Sequence, residues 1–285
     1  MPVVVVGASS SVGRALLPLL VERSPEVRAV VRRRAAADGL RALGAKVAVA
    51  QASDPDSLAM LFHDAHTVCH LAGGIRMPTA AAYEEANLRT VERTVEGARR
   101  AGAARLLLLS STGADPSEGN AYLRAKGEAE DMVRGAGLEH AIVRATRLVA
   151  RASPWFRDVM ALASRRPAAV VGPGTRSLAP VASADVAAAL AAADDRVGAV
   201  SGTFALEGPD VVTADELVRL VAGARRRPRH LPPGRRASRA LGDDVAPDYL
   251  DLLARDARAD APDAAGEFGV PITPLHEAIG WAVRG

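Results

Sequence analysis

Four consecutive valines, Val3–Val6, run directly into a glycine-bounded turn, Gly7-Ala8-Ser9-Ser10-Ser11-Val12-Gly13. A β-branched run with no polar alternate offers no face to water, so it predicts a strand buried on both sides. The first half of the chain repeats the theme. Strands are predicted over Val27–Val31, Lys46–Ala50, Thr67–Leu71, Leu106–Leu109 and Ala141–Val143. Helices are predicted between them, over Arg14–Glu22, Ala35–Leu43, Ser57–His63, Tyr83–Ala101 and Tyr122–Gly135. Such alternation predicts an α/β fold: a parallel sheet, doubly wound by right-handed crossovers and covered on both faces. Aromatic residues make up only 3% of the chain, so Ala, Val and Leu must fill the core.

The rhythm changes after about residue 150, where Pro154, Pro167, Gly172, Pro173, Gly174 and Pro180 crowd together. A helix over Ala184–Ala193, a strand over Gly202–Leu206 and a helix over Thr213–Ala222 follow. Thr213 as N-cap with Glu216 three residues on forms a capping box. A turn and last helix within Phe268–Val283 are expected to pack Leu275, Ile279 and Trp281. The expected division is a nucleotide-binding domain over 1–150, with returning segments near 176–206, and a smaller, mostly helical substrate lobe over 151–285. Trp155, Phe156, Met160, Arg176 and Tyr249 stand equally as pocket lining or core. Arg225–Arg239 carries seven arginines and reads as a solvated connector more readily than as a basic arm.

A strand–turn–helix unit with small residues in its turn lets backbone approach a pyrophosphate, and the helix N-terminus supplies N–H groups for the anion. Gly7, Ser9, Ser10, Ser11, Val12 and Gly13 are therefore candidate cofactor residues, the serines adding hydroxyl donors. The end of the second strand is where a carboxylate would hold a ribose 2′-hydroxyl. Here it carries Arg32, Arg33 and Arg34. Guanidinium forks match a 2′-phosphate, so Arg32 and Arg33 favour NADP(H) over NAD(H).

Tyr122 and Lys126 lie four apart at the start of a predicted helix, on one face. The chain has three tyrosines and only two lysines against 34 arginines, so this pairing stands out. An ammonium beside the phenol is expected to lower its pKa from about 10 and ready it for proton exchange with a carbonyl or alcohol.

The turn resembles the G-A-T-G-x-x-G motif of the extended and atypical short-chain dehydrogenase/reductase family, which has a Rossmann fold. That family includes NAD-dependent epimerase/dehydratase-like enzymes and NmrA-like NAD(P)-binding proteins. Ser10 stands where the family has its middle glycine. Ala50–Pro55 is similar to the family's G-D-L-T-D-P, and the resemblance places Gln51 and Ala52 by the adenine. Val68–Gly74 is similar to V-x-H-L-A-A, which brings Leu71, Ala72 and Gly73 to the adenosine side. His70 reads as a satisfied core histidine, and Asn87 as a structural helix asparagine. Ile142–Leu148 resembles the family segment beside nicotinamide, which marks Ala145 and Thr146, with Ala145 in place of proline. Ala179–Ala187 resembles P-V-x-V-x-D-V-A, with Asp185 in a helix first turn. The resemblance further implies that Lys126 holds the nicotinamide ribose. It implies that a hydroxyl of Ser110-Ser111-Thr112 orients the substrate oxygen, Thr112 first and Ser111 second, with Ser110 on the cofactor side. Only nine residues separate Thr112 from Tyr122, which is similar to the atypical branch.

Two functions are expected from this. The first is an NADP(H)-dependent reductase or epimerase/dehydratase-like enzyme; the alternative is an NmrA-like protein that senses NADP(H) without turnover. No Cys/His cluster has metal-ligand spacing, and no hydrolase elbow, Walker lysine or DNA-reading motif is present. A single cysteine, Cys69, and a first strand in place of a signal peptide fit the cytoplasm. The expected partner is a small-molecule substrate, with no nucleic acid or membrane, on a monomer or homodimer.

Overall fold

The computed structural model describes residues 1–50, 54–196, 200–223, 227–242 and 245–284. The first half runs β1 (Val3–Val6), α1 (Ser11–Val21), β2 (Val27–Val31), α2 (Ala37–Arg41), β3 (Lys46–Val49), α3 (Pro55–Leu61), β4 (Thr67–His70), α4 (Ala80–Glu84), α5 (Thr90–Arg100), β5 (Arg105–Ser111), α6 (Ala121–Arg134) and β6 (Glu139–Ala145). A π-helical segment, Glu85–Arg89, joins α4 to α5. The second half runs β7 (Leu148–Val149), α7 (Pro154–Ala163), β8 (Ala169–Val171), β9 (Ser177–Leu178), β10 (Val181–Ala182), α8 (Ser183–Asp195), β11 (Ser201–Leu206), β12 (Val212–Thr213), α9 (Ala214–Ala222), β13 (Arg229–Leu231), α10 (Arg235–Ala240), α11 (Pro247–Leu253), α12 (Ala264–Phe268) and α13 (Leu275–Arg284).

Seven parallel strands form the central sheet in the order β11-β6-β5-β4-β1-β2-β3. The order reverses between β1 and β4, the point where open α/β sheets leave a crevice beyond their carboxyl ends. All four valines of β1 are buried, because its alternate side chains enter two different cores. Val3 and Val5 pack with Leu16, Leu20, Val186 and Leu190 on the α1–α8 side. Val4 and Val6 pack with Leu58, Phe62, Val91 and Val133 on the α3–α5–α6 side. The third core, around α7, α9, α11 and α13, gathers Trp155, Phe156, Leu217, Tyr249 and Leu275, and it reaches Tyr122 at the head of α6. The sheet's seventh strand, β11, comes from the later half of the chain.

Helix starts follow their local chemistry. Asp54 caps α3 by accepting from the amides of Asp56 and Ser57, with Pro55 in the first turn. Thr213 and Glu216 form the reciprocal capping box on α9. Asp185 sits in the first turn of α8 and accepts from the Thr273 amide and hydroxyl. Two expectations are corrected. Trp281 is 51% exposed while Leu275 is buried, because α13 turns only one side of its last turns to the core. The described part of Arg225–Arg239 is not a plain connector. Arg229–Leu231 pairs with β8, and Arg235 opens α10. Among the described residues, no helix is long and apolar enough to cross a membrane.

Candidate functional site

The turn after β1 presses backbone against backbone. Gly7 has φ of +82°, and a Cβ there would lie 2.5 Å from the Ala72 amide nitrogen. Only glycine permits this approach of the turn to the end of β4. Ser10, the residue in place of the family's middle glycine, has φ of −67° and ψ of 166°, a conformation open to any residue. Its hydroxyl is the N-cap of α1 and accepts from the Gly13 amide at 3.0 Å. Helix geometry leaves the amides of Ser11 and Val12 without an intrahelical acceptor, and the first turn carries no acidic side chain. Ser9 is exposed, and the Ser11 hydroxyl accepts from Ser183 at 3.0 Å. Arg32 and Arg33 follow β2, one strand over, and are exposed. This cradle fits a dinucleotide diphosphate. Gln51 and Ala52 lie outside the described residues.

The end of β4 forms the next wall. Leu71 donates its amide to the Val6 carbonyl at 2.8 Å and so continues the sheet. Asn87, fully buried in the π segment, accepts from the Gly74 amide and donates to the carbonyls of Gly74 and Tyr83. It thereby pins the strand exit, where Ala72 and Gly73 lie. The His70 ring pairs with the Thr94 hydroxyl and the Ala72 carbonyl, and burial pushes its pKa down to about 3. It is a neutral core histidine. A Cβ on Gly73 would come within 3.4 Å of Lys126 Nζ, which places that ammonium against the exit of β4.

Asn120 caps α6, accepting from the amides of Tyr122 and Leu123, and this fixes Tyr122 in the first turn. Its ring packs edge-on to Tyr83 at 5.9 Å. Burial holds the phenol above its ordinary value, while the Ser111 hydroxyl and the charge of Arg147 pull against that rise. The expected lowering by Lys126 is therefore corrected. Lys126 donates to the Leu109 carbonyl at 2.9 Å, and desolvation of the phenol outweighs its neighbours. Burial also pushes the Lys126 ammonium down to about 8, against the charge of Glu130 one turn on.

The hydroxyls that end β5 separate by face. Ser110 points to α6 and donates to buried Glu130 at 2.6 Å. Ser111 faces Tyr122. Thr112 donates its amide to the Ala145 carbonyl and lines a cleft of about 440 Å³ with Arg144, Arg147, Arg255 and Asp260. Thr146 donates its amide to the Leu206 carbonyl and its hydroxyl to the Ala179 carbonyl, which fixes the exit of β6 where Ala145 replaces proline.

Sequence reasoning did not single out two residues here. Glu130 accepts from Ser110, Arg134 and Arg144 at full burial. Its place one turn after Lys126 was the available signal. Arg147, 4% exposed, acts on both Tyr122 and Tyr249. Of the aromatic pocket candidates, Trp155 lines a cavity, whereas Phe156 and Tyr249 are wholly core. No group of three or more His, Cys, Asp or Glu side chains among the described residues is placed to hold a metal.

A strand-order reversal, a small-residue turn into a helix N-terminus and a tyrosine and lysine on the neighbouring strand's helix define a dinucleotide-binding α/β protein. The chain belongs to the NAD(P)H-binding family, whose model matches residues 7–196. It is 30% identical over 190 residues to the ceramide reductase of Caulobacter vibrioides, covering 67% of this chain and 60% of that protein. It is 32% identical over 174 residues to a mitochondrial NADH dehydrogenase [ubiquinone] 1 alpha subcomplex subunit 9 from Arabidopsis thaliana, covering 59% and 42%. The alignments thus span 60% or less of the length of these curated relatives. The fold matches that of the Citrobacter sp. triphenylmethane reductase complexed with NADP(H), with a TM-score of 0.78 at 19% identity over 99% of this chain and 100% of that one. Other solved structures of this fold hold NAD.

Proposed function

We propose that the protein is an NADP(H)-dependent oxidoreductase that acts on a carbonyl or alcohol of a small molecule. One observation carries this reading: the Tyr122 phenol, the Ser111 hydroxyl and the Lys126 ammonium gather at the carboxyl end of β5, one strand from the exit of β4 that flanks the β1–α1 turn. The reductase named for the Caulobacter relative supports the same reaction class. The nicotinamide, when bound, supplies or accepts the hydride. Tyr122, held protonated by burial, donates its proton to a carbonyl oxygen during reduction, and Ser111 or Thr112 orients that oxygen. Lys126 presents its remaining donors to the nicotinamide ribose. Ser11 and Val12 amides take the diphosphate, and Leu71, Ala72, Gly73, Ala145 and Thr146 form the walls.

Titration with NADPH and NADH tests the cofactor assignment. NADPH is expected to bind at least about tenfold tighter, one charge-assisted fork being equivalent to roughly 1.5–3 kcal/mol. Arg32→Ser with Arg33→Ser should abolish that preference and leave NADH binding unchanged; tighter NADH binding by the wild type would contradict the assignment. Turnover is then sought on a panel of carbonyls and alcohols. Nucleotide binding with no turnover on any of them would favour the sensing alternative.

Lys126 adds a pH signature. Its folded-state pKa is depressed to about 8, so it carries its charge below that value and loses it above. Nucleotide affinity is expected to fall as pH rises through about 8, where the amine loses its charge and one donor. The Lys126→Met variant should bind more weakly and with a flat profile over the same range. An equal slope in both proteins would place the titrating group elsewhere.

A further inference from the structure

Read as sequence, Arg225–Arg239 is a solvated connector; folded, its described part belongs to a broad basic face. From Leu217 to Gly242 the chain carries eight arginines and no carboxylate. Pairing of β13 with β8 brings this stretch beside the end of α7, where Arg165 and Arg166 follow. The Arg229 amide donates to the Ala168 carbonyl at 2.8 Å, and Arg165 Nη1 donates to the Ala240 carbonyl at 3.4 Å. Ala237 and Leu241 anchor α10 on the third core, which leaves Arg235, Arg236 and Arg239 exposed. Arg165, Arg166 and Arg229 are exposed as well. None of these arginines makes an ion pair among the described residues. Exposed arginines of other helices do: Arg89 meets Glu84 and Glu92, and Arg100 meets Asp56 and Glu96. The carboxylates of α7 and α9 are already engaged. Asp158 is buried and accepts from Tyr249, Asp215 pairs with His230, and Glu216 caps α9. Asp243 and Asp244 lie outside the described residues.

Like charges gathered on one face repel, and on α10 Arg235 and Arg239 stand four apart, where like charges destabilise a helix. A plane of negative charge outside the molecule relieves that repulsion. We propose that this face docks, by charge, on a bilayer surface rich in anionic phospholipid. The exposed arginines come from three separate segments, as contact with an extended surface requires. Their hydrocarbon stems lie along a headgroup layer while the guanidinium forks meet its phosphates. Nucleic acid fits the face less well. Residues 157–171 and 223–242 contain no Trp, Tyr or Phe, so no ring is available for a base to stack on. α10 has six residues, a length of about 9 Å, too short to follow a major groove.

Sedimentation of the full chain with lipid vesicles tests this. One set is phosphatidylcholine alone, and the other contains about one third phosphatidylglycerol. At about 0.1 M salt the anionic vesicles should retain the protein at least about tenfold more strongly than the neutral ones. At about 1 M salt, where charges are screened beyond about 3 Å, they should release it. The triple variant Arg235→Ser, Arg236→Ser, Arg239→Ser should partition about 100-fold more weakly, roughly fivefold per arginine, and keep the wild-type urea midpoint. A second triple variant, Arg23→Ser, Arg89→Ser, Arg100→Ser, changes the net charge equally and should partition within about twofold of the wild type. Should the first variant fail to fold, the wild-type comparison of the two vesicles decides alone. Equal binding to both vesicles, equal losses in the two variants, or stronger retention on a random-sequence oligonucleotide or on polyglutamate than on anionic vesicles would overturn the proposal.

Discussion

Tyr122→Phe is expected to lower turnover by about 10²–10⁴-fold, the contribution of a positioned proton donor, with nucleotide affinity within about twofold of the wild type. The variant isolates the hydroxyl because the ring is already fixed by packing. It is buried in the third core, meets Tyr83 edge-on and sits in a capped first turn, and phenylalanine keeps each of these contacts. The phenol lies above its ordinary pKa, so the proton is present at neutral pH and reduction should not fade as pH falls. Oxidation of an alcohol runs the transfer in reverse and needs the phenolate. Its rate should climb with pH until the phenol titrates. Unchanged turnover in Tyr122→Phe would remove Tyr122 from the reaction.

Glu130→Leu should carry the largest loss of stability, about 3–5 kcal/mol, the usual consequence of removing one partner from a buried ion pair. Glu130 has no exposed side-chain surface, and it accepts two bonds from Arg144 and one each from Arg134 and Ser110. With the carboxylate gone, the half-buried Arg144 keeps only the Ala114 carbonyl and Asp260. The Ser110 hydroxyl would lose its acceptor. Urea unfolding measures the loss. Adding Arg144→Met to Glu130→Leu should recover most of it, since an uncharged pair leaves no stranded ion. A single-variant loss below about 1 kcal/mol would mean that solvent reaches this site and screens the charges.

The fold was legible wherever burial on two faces forced a continuous apolar run. Val3–Val6 and Val27–Val31 fall where the periodicity placed them, and α1 between them starts at its Ser10 cap. The long helix predicted from Tyr83 proves to be three consecutive segments, because the wide π turn lets Asn87 reach the Gly73-Gly74 corner. Spacing alone cannot show such a widening. The turn, the tyrosine and the lysine were legible because their chemistry depends on small residues or on fixed helical spacing. The sign of the Tyr122 shift was not, because it depends on how deeply the third core buries the ring. Arg147 and Arg176 read as two among 34 arginines; only the packed structure reveals that they are buried together.

A pyridine dinucleotide is expected to lie across the strand-order reversal with its redox end beside Tyr122 and Lys126. A crystal structure grown with NADPH tests it most directly. The expected result is the diphosphate on the amides of Ser11 and Val12, the 2′-phosphate between Arg32 and Arg33, and the nicotinamide ribose within hydrogen-bond distance of Lys126 Nζ. A nucleotide seated elsewhere, or one reversed so that its adenine lies beside Tyr122, would contradict it.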